Sequence, residues 1–261
     1  MKFYKYKRNF VLWGKVGFCA STRKECVESI TNLPTEPVSA TVGFVGIPAS
    51  IACMENKRIA IAYNNLTYVA VDGMPIIKKC RKAGIICERC SGPDIMEMII
   101  KAGIREGKTH YFYGGKNQKV LDKIRDNLIK KYPDIKIVGM YSPPFRNLTI
   151  NEDQEICGQI NELHPDYVWV GIGQPKQDYW IESHKDSLKK TTILGVGAAF
   201  DFIAGSLDRA PEKVQELGFE WAYRFVKEPK RLWNRYVKGG FKYLWYCFKF
   251  SNKCIEMPSE K

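Results

Sequence analysis

The chain has 261 residues, 45% of them hydrophobic, and a formal net charge of +13, which excludes a disordered polymer and predicts one main core-bearing domain with an appendage. Nine irregularly spaced cysteines, and an N-terminal KFYKYKRNF without the apolar core or cleavage site of a secretory signal, point to a reducing cytosol rather than a secreted disulfide framework. No apolar run reaches the roughly 18 to 20 residues that span a bilayer, and the basic excess calls for an anionic partner: nucleic acid, anionic lipid or a phosphorylated substrate.

In chain order, Phe10 to Trp13 and Val16 to Phe18 are short apolar pieces, and Thr22 with Glu25 fits the capping box of a helix ending near Ile30. From Ala40 to Ala52 the residues are small and apolar. Ala60 to Ala62 leads into the strand-like run Tyr68 to Val71, which ends on Asp72, Gly73, Met74 and Pro75. An acid at the end of a buried strand, before a Gly turn and Pro, sits at a cleft mouth, where partial desolvation raises its pKa and suits it to act as a base. The same four residues also read as an ordinary turn. Asp94 is expected to cap an apolar helix from Ile95 to Ala102. Cys80, Cys87 and Cys90 contain one C-x-x-C with no second pair and no nearby His, which favours packed thiols over a zinc site.

From His110 the pattern becomes regular. A strand His110 to Tyr113 meets Gly114-Gly115, and a helix from about Asn117 to Lys131 carries Val120, Ile124 and Leu128 on one face until Pro133 stops it. A strand Ile135 to Val138 meets Gly139, a polar loop covers Ser142 to Asn151, and a helix follows from about Glu152 to Leu163. The stretch Asp166 to Asp178, DYVWVGIGQPKQD, then reads as a strand buried on both faces, a glycine turn and a polar loop carrying Gln174, Pro175, Lys176 and Gln177. A helix from about Lys176 to Leu188 precedes a strand Thr192 to Val196, which ends in Gly195-x-Gly197. Strands alternating with helices predict an α/β, Rossmann-like, mostly parallel sheet, with each of these four strands meeting glycine at its carboxyl end. Such an edge suits a nucleotide diphosphate. Neither G-x-G-x-x-G after a first strand nor GxxxxGK[ST] is present, and no Asp-x-Asp occurs to hold a metal against a sugar nucleotide.

Several motifs in order carry a resemblance. Asp72-Gly73, Arg89-x-x-Gly92-x-Asp94, Tyr113-Gly114-Gly115, Gly171-x-Gly173-x-Pro175-Lys176-Gln177-Asp178, Gly195-Val-Gly197, Phe200-Asp201-Phe202-x-Ala204-Gly205, Arg209-Ala210-Pro211 and Glu220-Trp221-x-Tyr223-Arg224-x-x-x-Glu228-Pro229-x-Arg231 together resemble the WecG/TagA/CpsF glycosyltransferase family, from about residue 12 to 245. The resemblance implies an inverting, metal-independent transferase. It would move a sugar of the N-acetylmannosamine type, or a related hexose, from a UDP-sugar to a polyprenyl-diphosphate-linked sugar, for cell-surface polysaccharides such as teichoic acid, common antigen, capsule or O-antigen. It implies Asp72 as general base on the acceptor hydroxyl and Gln177 in the active site. The substrate-binding set it implies is Arg89, Asp94, Gly114, Gly115, Gly171, Gly173, Pro175, Lys176, Gly197, Asp201, Arg209, Arg224, Arg231 and Arg235, with no metal ligand and no cofactor. The leaving diphosphate would be neutralised by helix N-termini and arginines. Two departures stand out: Asn234 replaces an expected arginine, with Arg235 beside it, and the family's Thr-x-Asn ahead of Asp-Gly is missing from Gly43 to Gly46.

The family's organisation divides the chain into a catalytic α/β domain, 1–207, and a basic, aromatic-rich appendage, 208–261, that contacts membrane and completes the site. The tail fits independently. Arg224, Lys227, Lys230, Arg231, Arg235, Lys238, Lys242, Lys249 and Lys253 face Glu228 alone, and FKYLWYCFKF at Phe241 to Phe250 has the aromatic and lysine content of a membrane interface. Each basic residue near an anionic leaflet contributes on the order of 1 kcal/mol. The expected place is therefore the cytoplasm, peripheral on the inner face of the cell membrane, with an anionic membrane surface as partner and a homo-oligomer left open. A packed helix with a solvated lysine face also fits the tail. Two other classes explain part of the composition: a nucleic-acid binder, for which no usual signature appears, and a non-catalytic membrane scaffold, which has no need of Asp72. No nucleic-acid partner is expected.

Overall fold

Phe10–Leu12 (β1) and Val16–Phe18 (β2) pair antiparallel in a computed structural model that describes residues 10–250 and 255–256. The basic N-terminal segment before Phe10, residues 251–254 with Lys253, and the side chains of Arg231 and Arg235 lie outside the described residues. The main sheet is built from Ala40–Val45 (β3), Tyr68–Val71 (β4), Thr109–Gly114 (β5), Lys136–Tyr141 (β6), Tyr167–Gly171 (β7) and Thr192–Gly195 (β8). All six run parallel in the order β4-β3-β8-β7-β5-β6. The chain is thus an α/β protein with a Rossmann-like sheet flanked by helices. Ile255–Glu256 (β9) returns to pair with β1, completing the small sheet.

Alternation along each strand divides the core in two. In β7, Val168 and Val170 face one side with Ile156, Ile160 and Ile181, while Tyr167 and Trp169 face the other with Ile99, Ile124 and Phe200. A sheet covered by helices on both faces needs apolar residues at every position. That is why the β4 and β7 runs read as strands from sequence alone.

The structure corrects several expectations. The small apolar stretch from Ala40 to Ala52 divides into β3 and an Ile47–Glu55 helix, separated by Gly46 with Pro48 in the first turn. The segment before β4 is a Lys57–Asn65 helix capped by Asn56, which buries Ile59, Ala60, Ala62 and Tyr63 at helical spacing. Gly139 does not end a strand. β6 runs through it to Tyr141, and a Cβ there would lie 2.4 Å from the Tyr111 ring of the neighbouring strand, so this glycine serves close packing. The helix begun at Lys176 stops at His184. The helix after β5 buries Leu121 with Ile124 and Leu128, rather than Val120. Asp94 does not cap its helix either. Ser91 is the N-cap of Gly92–Gly103, and Asp94, in the first turn, accepts from the Ser91 hydroxyl at 2.6 Å. Thr22 and Glu25 do form the expected capping box. Cys80, Cys87 and Cys90 are buried in the core and form no disulfide among the described residues.

The C-terminal segment folds back on the start of the chain. Its Gly239–Lys249 helix buries Tyr243, whose ring and that of Tyr246 pack on Trp13 at 5.3 and 5.4 Å. Lys242 pairs with Glu55 on the Ile47–Glu55 helix. The opposite face of the same helix is apolar and open: Phe241, Leu244, Trp245 and Phe248, at i, i+3, i+4 and i+7, are all exposed. No helix among the described residues is long and apolar enough to cross a membrane.

Candidate active site

Between β5 and β7 the chain connections diverge: β5 leads outward to β6, and β7 leads back through the Lys176–His184 helix to β8. In parallel sheets a crevice opens beyond the carboxyl ends of the strands at such a reversal. Here the two strand ends touch closely. Gly114, at φ +140°, sits so near Gly171 that a Cβ would come within 2.6 Å of the Gly171 carbonyl, and a Cβ on Gly171 would enter the Phe200 ring. A cleft of about 910 Å³ opens above this edge.

Asp72 lies on one wall, directly after β4, its backbone N–H donating to Val45 O at 2.9 Å. Its side chain keeps 35% of its surface open to the cleft, and Arg89 Nε donates to Oδ1 at 3.0 Å. The same guanidinium pairs with Glu220 through Nη2 at 2.8 Å, so Arg89 bridges two carboxylates. Loss of water pushes the Asp72 pKa above the ordinary carboxylate value; Arg89 opposes the rise, and the negative charges of Glu220 and Asp94 add to it. The product is a carboxylate more basic than a solvated one, with one oxygen held in place and the group facing open space.

Behind β7 the loop from Gly171 to Lys176 is pinned from below. Gln177 is 2% exposed; its Nε2 donates to Gly195 O at 3.1 Å, and its Oε1 has no protein partner. Gln174, preceding a cis peptide to Pro175, donates through Nε2 to the Tyr63 hydroxyl at 2.6 Å. Beneath them Asp178 is 3% exposed. Burial raises its pKa to about 7, against hydrogen bonds from Tyr63 and Gln174 that lower it.

The far wall is aromatic and mixed in charge. Tyr113 stacks on Trp180 at 4.2 Å, Trp180 stacks on His184 at 4.1 Å, and His184 Nε2 lies 3.0 Å from both oxygens of Asp153. Asp153, Cys157 and His184 hold their ligand atoms within 4.8 Å of one another, the one set of three metal-ligating groups among the described residues. Nearer the glycine edge, Lys116 pairs with Asp201 at 3.6 Å. Arg58, Lys116, Arg146, Lys176 and Arg224 bring positive charge to the lining.

Of the residues singled out by sequence, Asp72, Arg89, Gly115, Gly171, Gly173, Lys176, Gln177, Gly197, Asp201 and Arg224 line this one cleft. Asp94, Gly114, Pro175 and Arg209 are not among its lining residues. Arg209 is paired with Asp94 and lies over the Phe202 ring, which Arg224 also approaches, at 5.7 Å. Sequence reading missed the bridging role of Glu220, the Tyr113–Trp180 stack and the Pro143 to Thr149 segment that roofs the far wall. Glu220 lay inside a recognised motif, but nothing in its spacing points to Arg89.

Comparison with known proteins gives a match to the Glycosyl transferase WecG/TagA/CpsF family over residues 12–254. The chain belongs to this family. Its curated relatives include proteins named N-acetylglucosaminyldiphosphoundecaprenol N-acetyl-beta-D-mannosaminyltransferase. One, from Staphylococcus aureus (strain MW2), is 29% identical over 170 residues, 65% of each chain. Another, from Bacillus subtilis (strain 168), is 25% identical over 201 residues, 77% of this chain and 76% of the relative. The match spans 65% of the length of the Staphylococcus aureus relative. The eight motifs of the sequence lie within the residues matched by the family.

Proposed function

We propose that this chain is a glycosyltransferase of the WecG/TagA/CpsF family that transfers a sugar from a UDP-sugar to a polyprenyl-diphosphate-linked sugar, in cell-surface polysaccharide synthesis. The observation that carries the reading is the Asp72 carboxylate, raised in basicity, oriented by Arg89 and open to a large cleft at the glycine-edged ends of a parallel sheet. The names of the relatives support the acceptor class and an N-acetylmannosamine-type sugar.

In the reaction we infer, an acceptor hydroxyl oxygen attacks the anomeric carbon from the side opposite the leaving group. The new C–O bond forms as the bond from the anomeric carbon to the diphosphate oxygen breaks, UDP departs with that electron pair, and the hydroxyl proton passes to Asp72. A single displacement of this kind inverts the anomeric centre. Backbone N–H groups beside Gly171, Gly173 and Gly197, with Lys116, Lys176 and Arg224, supply partial and full positive charge for the diphosphate. This charge supports a reaction without a metal. Asp201 faces the same edge as an acceptor for ribose hydroxyls, and Gln177 carries an unpartnered oxygen for a substrate donor group. The exposed apolar helix face and the basic tail support peripheral attachment to an anionic membrane on the cytoplasmic side, with 208–261 acting as the membrane-contacting appendage.

Incubation of the purified chain with a panel of UDP-sugars and a polyprenyl-diphosphate sugar, read by mass spectrometry, tests the activity and names the donor. Asp72→Asn keeps the size and the Arg89 contact while removing the base, and is expected to lower turnover by about 100-fold or more with the fold intact by circular dichroism. Near-normal turnover of that variant would remove Asp72 from the role.

A further inference from the structure

The proposed acceptor joins a sugar diphosphate to a long prenyl chain, and a chain of that kind must leave the catalytic cleft along an apolar path. A second cavity, of about 350 Å³, lies on the outer side of the Met74–Lys82 helix, whose first residue is two beyond Asp72. Its walls are Met74, Pro75, Leu217, Phe219, Trp221 and Tyr243, and Lys78, Lys79 and Lys82 stand along it. The volume is at the lower end for ligand sites. It suits a short apolar segment better than a second sugar nucleotide.

Three features give this slot an occupant. First, Leu217, Phe219 and Trp221 are 66%, 54% and 51% exposed, so large apolar groups face water on one short stretch. Second, the stretch is docked against the catalytic helix. Gly218 adopts φ +80° and approaches Met74 so closely that a Cβ would lie 2.8 Å from its Cγ. Glu220, one residue before Trp221, reaches Arg89 and through it Asp72. One chain segment therefore touches both the base and the slot. Third, Lys78 and Lys82 are exposed at i and i+4 on one helix face, which places two cations beside an apolar trough. Apolar walls with a cationic rim complement a molecule that is apolar at one end and carries phosphate charge at the other.

We propose that this slot seats the prenyl units nearest the diphosphate of the lipid-linked acceptor, with the diphosphate lying along the Lys78 and Lys82 rim and the sugar reaching Asp72. The assignment rests on the transferase reading for its substrate class, and on the slot's own chemistry for its position.

Two measurements on the full chain test it. Acceptors that share one sugar diphosphate but carry either a short alkyl group or a prenyl chain are compared in steady state. The prenyl acceptor is expected to have a KM lower by about tenfold or more, the return for burying one isoprenoid unit. Phe219→Asp is expected to erase that advantage while kcat and donor KM on the short acceptor stay unchanged, whereas Lys78→Glu with Lys82→Glu is expected to raise the KM of both acceptors severalfold, since both carry the diphosphate. A Phe219→Asp variant that keeps the full advantage, or a lysine variant that leaves both acceptor KM values in place, would overturn the assignment. In the second measurement, a photoreactive prenyl diphosphate without sugar is irradiated with the parent chain. Label is expected in the peptides covering 74–82 and 217–221, displaced by unlabelled prenyl diphosphate but not by phosphatidylglycerol vesicles. Label elsewhere, or displacement by the vesicles, would show that the slot is not a prenyl seat or holds bilayer lipid instead. If label enters the slot yet no sugar moves to any acceptor, the slot stands and the transferase reading falls.

Discussion

At the scale of single residues, two acids, one half-open to the cleft and one buried, behave differently for reasons their neighbours explain. Asp72 has a guanidinium in contact and Asp178 has none, so the positive charge of Arg89 limits a rise at Asp72 that burial alone would enlarge. Arg89→Gln removes that opposition. The acid limb of kcat/KM is expected to move to higher pH, and a midpoint that stays in place or falls would show that Arg89 does not tune the base. Asp178 titrates near its ordinary 3.8 when unfolded and at about 7 when folded. Between those values the folded state holds more protons, so stability falls as pH rises through the window and levels off above it. Asp178→Asn is expected to be more stable than the parent above about pH 7, by on the order of 4 kcal/mol at most, with the gap closing toward about pH 4. Thermal melts across that range check it; a gap independent of pH would refute burial of the charge as the cause. Asp72 was legible in the sequence because a strand end, Gly and Pro follow one another. The charge state of Asp178 was not, because Tyr63 and Gln174 lie far from it or on a loop whose path the residues do not announce.

At the scale of elements, the site depends on how closely two strand ends meet. Gly171 has the Phe200 ring where a Cβ would be, at 2.6 Å. Gly171→Ala must displace that ring or separate β7 from the Ala199–Ile203 helix. It is expected to lose about 1 to 3 kcal/mol, as overpacked cores do, and to raise donor KM as the edge deforms. A denaturant midpoint equal to the parent's would show that Phe200 yields freely. The glycines at the ends of β5, β7 and β8 were legible as a pattern, but Gly139 looked the same and proved to be inside a strand. Local sequence cannot tell a glycine that ends a strand from one that makes room for a neighbour's ring. The Lys57–Asn65 helix escaped notice for a related reason. Its apolar residues form one continuous run, Ile59 to Tyr63, between Lys57, Arg58 and two asparagines, so which of them face the core becomes visible only against the strands they cover.

At the scale of the whole molecule, the basic C-terminal segment has two faces. One is packed through Tyr243 and Tyr246 on Trp13, and the other presents Phe241, Leu244, Trp245 and Phe248 to solvent. Removing everything after residue 208 would therefore uncover Trp13 as well as remove the apolar face, confounding loss of membrane contact with loss of stability. Trp245→Ser with Phe248→Ser leaves the packed face alone. This double variant is expected to lose most of its co-sedimentation with anionic vesicles at an unchanged melting temperature, because Trp and Phe at an interface supply the apolar part of peripheral attachment. Undiminished co-sedimentation would assign attachment to charge alone.

The sequence by itself determined the α/β class, five of the six parallel strands, the run of motifs that marks the family, and the candidacy of Asp72 and Gln177. Each of these is written in local spacing: apolar runs, turn residues and the order of short signatures. Only the tertiary structure decided that Glu220 stands across Arg89 from Asp72, that β3 and β4 join the sheet beside β8, and that Leu217 to Trp221 lies against the Met74–Lys82 helix. Those are contacts between residues far apart in the chain, made by packing two apolar faces against one sheet, and no periodicity along the sequence encodes which distant surface a face will meet.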